Sequence, residues 1–372
     1  MRDILIFVED PGAANMLVGM RPYFDRLGMG VVVTAAGSAR EILEVREEQY
    51  LPVDAATSAA DVIDDYRPQV VAVGTAENRQ TLGLALAAEA RRRGIPTVGL
   101  VDSFANSQWR WRGETHDPLA YMPDWLAVPD DITRTEYMTL GVSAERVIAV
   151  GYVQADYVAE HKTKFDARGK GAMRDAVLPR SAWRRQVLVF AAEQFGGIGT
   201  DRYRRADDYT IHGRGGSNER IHIVLEEVLD ALVRIQPRPY VVVRLHPKNS
   251  RADFEAYQNE IDFISRSEDP LELIYSSDVV VGATSTLLLE AHLMERPTLA
   301  VVPRVPETWI ERVGEGIIPT ACTRDQVEDY LARMLNGEYT ISPAGSLMTG
   351  VRGRLANLFY NVLCYGSVRA PK

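Results

Sequence analysis

Two short runs in the second half of the chain carry the residue types that hold an anion. Val241-Val242-Val243-Arg244-Leu245-His246-Pro247-Lys248 is an apolar run that ends in a cation, an imidazole, a proline and a second cation. Pro247 stops a strand and disfavours helix at His246, which leaves the imidazole at the strand's carboxyl end, able to donate to a phosphate oxygen. A lone His is more often satisfied by a backbone carbonyl. Arg244 and Lys248 on either side favour the anion. In the second run, Val279-Val280-Val281 leads through Gly282 into Thr284, Ser285 and Thr286, expected in the cap and first turn of a helix. Free backbone N–H groups and the helix dipole favour an anion there. Thr286 and Glu290 stand one turn apart and share a face. Capping explains one hydroxyl but not an acid amid Leu287, Leu288, Leu289, Ala291 and Leu293, so Glu290 reads as an acceptor for ribose or sugar hydroxyls. Glu193, just past an apolar run over 186–191, joins this donor-binding set.

The first half offers acids. Glu9-Asp10-Pro11-Gly12-Ala13-Ala14-Asn15 follows the first apolar run and opens a helical stretch. Gly12 lets a ligand approach the backbone, Asn15 can touch it, and Glu9 or Asp10 can take a proton from a hydroxyl. The competing reading is helix capping by a turn acid. Further on, Asp102, Asn106 and Arg110 stand among aromatics and offer a base, an amide and a cation, with Trp109 and Trp111 read as packing residues rather than sugar-stacking ones. Metal-independent chemistry is expected, because the histidines form no i, i+4 pair and no D-x-D follows a strand. Asp130 reads as a helix N-cap. Neither a G-x-S-x-G elbow nor the G-x-G-x-x-G fingerprint occurs.

The elements that must position these residues alternate along the chain. Strands are expected at 4–8, 30–34, 70–73, 97–101, 125–128 and 147–150, with helices at 14–27, 39–46, 59–66, 81–92 and 133–140. After a polar stretch the alternation restarts with strands at 186–191, 240–244, 278–281 and 298–302 and helices at 219–235, 252–261, 285–294 and 324–335. This is the pattern of two doubly wound Rossmann-like α/β domains, the GT-B type, with an interdomain cleft. The expected divisions are an N-terminal acceptor domain over 1–151, a connection over 152–185, a donor-binding domain over 186–349 and a helix over 350–372 that crosses back toward the first domain. Basic residues of the connection, Lys162 to Arg185, read as a solvated surface. The Gly- and Arg-rich segment 196–218 leaves a strand's carboxyl end and reads either as a substrate-gated loop or as plain disorder.

Composition agrees. A chain of 372 residues is long enough for two cores, and 46% apolar with 25% charged residues is ordinary globular usage. A net charge of −9 without a basic block excludes nucleic acid as the expected partner. Cys322 and Cys364 read as packed thiols of a reduced, cytoplasmic protein. The apolar run at the N-terminus is too short for a signal peptide, and no segment reaches membrane-span length, which leaves peripheral membrane contact open.

The R-x-H-P strand end, the T-S-x-x-x-x-E helix start roughly forty residues on, and the following R-P-x-L-x-V together resemble the donor domain of bacterial GT-B enzymes over about residues 186–320. The run is similar to the CDP-glycerol glycerophosphotransferases, to the bacterial sialyltransferases and polysialyltransferases and, more distantly, to the UDP-N-acetylglucosamine 2-epimerases. The Asp102-to-Arg110 run resembles a D-x-x-x-N-x-x-x-R run in polysaccharide-biosynthesis proteins of that fold. The resemblance implies that His246 and Thr284–Thr286 hold nucleotide phosphates and Glu290 holds sugar hydroxyls. It implies a metal-independent glycosyltransferase or glycerophosphotransferase, without a cofactor, moving a group from a nucleotide-activated sugar or CDP-alcohol to a hydroxyl acceptor. Arg244, His246 and Thr284–Thr286 would neutralise the leaving phosphate while Asp10, Glu9 or Asp102 deprotonates the acceptor. Two alternatives use the same grip: an NDP-sugar 2-epimerase or hydrolase, and a non-catalytic nucleotide-sugar-binding protein.

Overall fold

A computed structural model describes residues 3–54, 57–76, 78–104, 106–193, 214, 217, 219–246, 248–302, 318–343 and 349–366. The chain forms two compact units, one of Met1–Tyr157 with Gly345–Lys372 and one of Val158–Ala344. Among the described residues the first unit holds a seven-stranded sheet and the second a six-stranded sheet, every pairing parallel. This is the α/β two-domain Rossmann-like architecture of the GT-B fold.

In the first unit the strands are β1 (Ile4–Val8), β2 (Val31–Ala35), β3 (Leu51–Pro52), β4 (Val70–Gly74), β5 (Thr97–Leu100), β6 (Trp125–Val128) and β7 (Val147–Ala149), in the order β3-β2-β1-β4-β5-β6-β7. In the second they are β8 (Val187–Ala191), β9 (Tyr240–Arg244), β10 (Phe263–Ser265), β11 (Val279–Gly282), β12 (Thr298–Val301) and β13 (Thr320–Ala321), in the order β10-β9-β8-β11-β12-β13. Helices cover both faces of such sheets, so the inner strands are predominantly apolar and every residue of β1 and of β8 is buried. The short strands β3, β10 and β13 escape a sequence reading because two or three residues carry no periodicity.

One continuous helix expected over 14–27 is two helices, Pro11–Asn15 and Arg21–Arg26. The break is at Gly19, whose φ is +71°, and a Cβ there would lie 2.6 Å from the Arg352 guanidinium carbon. Only glycine takes that backbone without strain, and it admits Arg352 from the last helix, Val351–Tyr365. That helix belongs to the first unit, its Phe359 edge-on to Phe24 at 5.8 Å between ring centroids. The helix expected over 252–261 is a tighter 3-10 stretch, Arg251–Tyr257, started by a reciprocal Ser250–Asp253 capping box. Cys364 is exposed rather than packed, and Cys322 is half-buried.

Residues 152–185 are mostly helical, in Gln154–Arg168 and Lys170–Val177. Several of their cations are structural rather than solvated. Lys170 Nζ lies 2.6 Å and Arg174 Nη2 2.7 Å from the Asp278 carboxylate, which also accepts the Val187 N–H at 2.7 Å. Arg174 Nε donates to the Ser276 carbonyl, and Arg185 pairs with Asp262 at 2.9 Å. Burial tends to raise the Asp278 carboxyl, but the hydrogen bond and charge of Lys170, the Val187 N–H and the Arg174 charge together outweigh it and hold the group below its ordinary value. One carboxylate thus joins the start of β8, the approach to β11 and the helix Lys170–Val177. Asp278→Ala strands two part-buried cations, and a loss of about 3 kcal/mol is expected, read as a lower urea midpoint at unchanged slope.

Candidate functional site

Each sheet presents its polar residues where its strands end. In the second unit, Arg244 closes β9 and donates to Ser265 Oγ at 3.1 Å; Ser265 in turn donates to Glu268 at 2.7 Å. Burial lowers the Arg244 pKa, and the charges of Glu268 and Asp269 oppose the shift. Beyond Leu245, His246 is half-buried, and its ring Nδ1 accepts the Lys248 N–H at 3.2 Å. A neutral imidazole so engaged carries its proton on Nε2, the donor state that an anionic oxygen requires. Pro247 lies outside the described residues.

Two residues past β8, Glu193 is buried, with 8% exposure. Its carboxylate accepts the Thr284 N–H, the Thr284 hydroxyl at 2.8 Å and an N–H of Arg220. Thr284 therefore faces Glu193 rather than the helix. The cap of helix Thr286–Leu293 is Ser285, whose Oγ accepts the Leu287 N–H at 3.3 Å. Thr286 begins the helix exposed to solvent, and Glu290 is half-buried one turn on. Gly282 is closely packed: a Cβ there would stand 3.1 Å from the Ala191 carbonyl oxygen and 3.4 Å from Leu288, so those neighbours would have to give by a few tenths of an ångström. The structure thus gathers Glu193, Thr284 and Ser285 beside one another, with Arg220 as a partner no motif disclosed. The segment 196–218 lies outside the described residues except for Arg214 and Ser217. Arg214 pairs with Asp230 at 2.5 Å and Glu260 at 3.0 Å.

In the first unit the acids converge at the ends of β1, β4 and β5. Asp10 stands at the N-cap of Pro11–Asn15 but makes no side-chain cap hydrogen bond, so capping does not account for it. Asp102 accepts the hydroxyl of Thr75, a buried residue just past β4. A Cβ on Gly12 would fall 1.7 Å from Asp102 Oδ2, and one on Gly74 would fall 2.4 Å from Ala13 Cβ. These two glycines let the turn after β1 close onto the neighbouring strand ends, and Gly12 gives its space to Asp102. Glu9 Oε2 is buried without a hydrogen-bond partner. Burial holds the Glu9 carboxyl above its ordinary value, a hydrogen bond with Thr81 works against this, and the Asp10 charge adds to it.

The remaining first-unit candidates are less concentrated. Asn15 ends its helix and its carbonyl accepts Gln154 Nε2 at 2.6 Å. Asn106 takes a left-handed backbone, φ +65°, before the short helix Ser107–Arg110, and is exposed. Arg110 is half-buried at that helix's end. Trp111 is fully buried against Gly99, whereas Trp109 is exposed under Arg112. Asp130 is the N-cap of Asp131–Thr139 and accepts the Thr133 N–H at 2.6 Å. No helix among the described residues is long and apolar enough to cross a membrane.

No family model and no curated protein sequence matches this chain. Solved structures do. A UDP-GlcNAc 2-epimerase from Methanocaldococcus jannaschii aligns with a TM-score of 0.68 at 14% identity, covering 98% of this chain and 100% of that one. The UDP-GlcNAc 2-epimerase from Neisseria meningitidis bound to UDP-GlcNAc aligns at 0.64 and 14%, covering 97% and 99%. The UDP-N-acetylglucosamine 2-epimerase from Rickettsia bellii aligns at 0.63 and 16%, covering 98% and 97%. At such identities the likeness establishes the fold. It also overturns the expected glycosyltransferase, because these full-length matches are named as epimerases and none of them as a transferase. The physical reason is that a grip on nucleotide phosphate is indifferent to what then happens at the sugar.

The Glu9 environment predicts a pH-dependent stability. A raised folded-state pKa means that the stabilising form is the protonated one, present in full below the ordinary value of 4.5 and lost as pH rises through the folded value. Glu9→Gln keeps the neutral form at every pH. Thermal melts should show the variant gaining on the parent between pH 4 and pH 8; a constant difference across that range would contradict the assignment.

Proposed function

We propose that the chain is a nucleotide-sugar 2-epimerase or hydrolase, acting on an NDP-sugar without an acceptor. The supporting observation is the end-to-end likeness to 2-epimerase structures, combined with donor groups at the ends of β9 and β11 that suit a diphosphate. In this reading His246 Nε2–H donates to a phosphate oxygen, Arg244 and Lys248 supply positive charge, and the start of helix Thr286–Leu293 supplies oriented N–H groups. Glu290 accepts from ribose or sugar hydroxyls. Glu193 positions Thr284 at the mouth of the grip.

Inverting C2 by proton exchange breaks its C–H bond and re-forms it on the other face. The electron pair released at C2 is taken up as the C1–O bond to the nucleotide breaks, and is returned when the nucleotide, or water in the hydrolytic outcome, adds at C1 as C2 is reprotonated. One group must take the proton and another return one. Glu9, held protonated to higher pH by burial, is the candidate acid. Asp10 and Asp102 are the candidate bases, and the Thr75 hydroxyl and the Gly12 turn hold Asp102 in one orientation.

The test is incubation with UDP-GlcNAc alone, followed by proton NMR in heavy water. Expected is either the C2 epimer with solvent deuterium at C2, or free sugar and UDP. Intact binding of UDP, CDP, GDP or TDP with no turnover of the corresponding sugar nucleotides would reject the reading. His246→Ala should weaken UDP binding at least tenfold by calorimetry, as expected for a hydrogen bond to a charged group worth about 1.5–3 kcal/mol.

A further inference from the structure

His246 has a neighbour that no motif singles out. Asn249 is buried, at 3% exposure, three residues beyond it. The two residues are tied reciprocally. Asn249 Oδ1 accepts the His246 N–H at 3.2 Å, and the Asn249 N–H donates to the His246 carbonyl at 2.8 Å. The Asn249 carbonyl is itself gripped by Arg266 Nη1 at 2.9 Å. Inside this closed turn the Lys248 N–H is aimed at His246 Nδ1. The amide orientation follows from the donor opposite it, because turning Asn249 over would set its NH2 against the His246 N–H.

That orientation has a cost. Asn249 Nδ2 is left buried with no hydrogen-bond partner, and a buried unpaired donor costs about 1–3 kcal/mol. An apolar side chain would fill the space without that penalty, but would leave the His246 N–H without its acceptor. What only the amide oxygen supplies is the clamp on the backbone of His246.

We infer that Asn249 is a positioning residue: by clamping the His246 backbone it holds the Lys248 N–H on Nδ1, so the imidazole presents Nε2–H as a donor for an anionic phosphoryl oxygen. The part concerning the ligand rests on the proposed nucleotide-sugar reading. The part concerning the ring stands by itself. Without the clamp, the turn can open, Nδ1 loses its donor, and both neutral tautomers become populated.

The experiment is long-range ¹⁵N–¹H NMR of histidine-labelled protein above pH 8, with the His246 signals assigned through His246→Gln, alongside UDP titration by calorimetry. Three proteins are compared: the parent, Asn249→Ala and Asn249→Asp. Expected is the Nε2–H tautomer in the parent, mixed tautomers in Asn249→Ala with about tenfold weaker UDP binding, and the Nε2–H tautomer again in Asn249→Asp, which restores the acceptor. A His246 ring unchanged in a folded Asn249→Ala protein overturns the inference. A parent ring in the Nδ1–H form overturns it too. If the tautomer responds as expected while UDP binds all three proteins and His246→Gln alike, Asn249 keeps its positioning role and the phosphate role of His246 is rejected.

Discussion

A parallel strand covered by helices on both faces has nowhere along its length for polar chemistry. Side chains on either face meet apolar helices, and the backbone is spent on its neighbours, so an ionisable group inside such a strand would be stranded in low dielectric. The residues of β1 and β8 are buried throughout for this reason. Polar groups emerge where the strands stop. Glu9 follows β1, Thr75 follows β4, Asp102 stands two residues past β5, Glu193 two past β8, His246 two past β9 and Thr284 two past β11. Both units obey the same constraint, and every residue given a functional role near a strand answers to it.

Groups brought to those ends need to be held, and the fold holds them by close approach and by shared carboxylates. Gly12 and Gly74 give up their side chains so that the turn after β1 can touch its neighbours. Glu193 gathers Thr284 and Arg220 from separate elements of the second unit, much as Asp278 gathers Lys170, Arg174 and the start of β8 at the opposite end of the strands. The difference lies in what is left unsatisfied. Asp278 is satisfied by cations and a backbone N–H, whereas Glu9 keeps a buried oxygen unpaired and Asn249 a buried amide nitrogen. Buried polar atoms away from these strand ends, such as Trp111 Nε1 and Ser276 Oγ, also lack a partner, so it is the position of Glu9 and Asn249 beside the candidate groups that sets them apart.

The transferase expectation failed for a reason internal to the chemistry. In the proposed reading, the R-x-H-P end and the T-S-x-x-x-x-E start concern only how a diphosphate would be met by a cation, an imidazole and helix N–H groups. Such a grip would serve transfer and epimerisation alike. What separates transfer from epimerisation is which acids surround the sugar, and these come from turns whose positions in the chain say little about their positions in space.

Alternation of apolar runs and amphipathic stretches was enough to read the long strands, most of the helices and the two-domain α/β class directly from the residues, because burial on both faces writes itself into consecutive side chains. The strand ends carrying Arg244, His246 and Thr284 were legible for the same reason: a run of valines that stops is visible. The break at Gly19 was not, since it depends on Arg352, which approaches from the far end of the chain. Nor was the role of Thr75, of Arg220 or of Asn249, each defined by a partner that only folding supplies. Local composition determines where a strand ends, through the hydrophobic effect acting on neighbours in sequence. Which polar groups then face one another is decided by the packing of distant strands, and only the tertiary structure contains it.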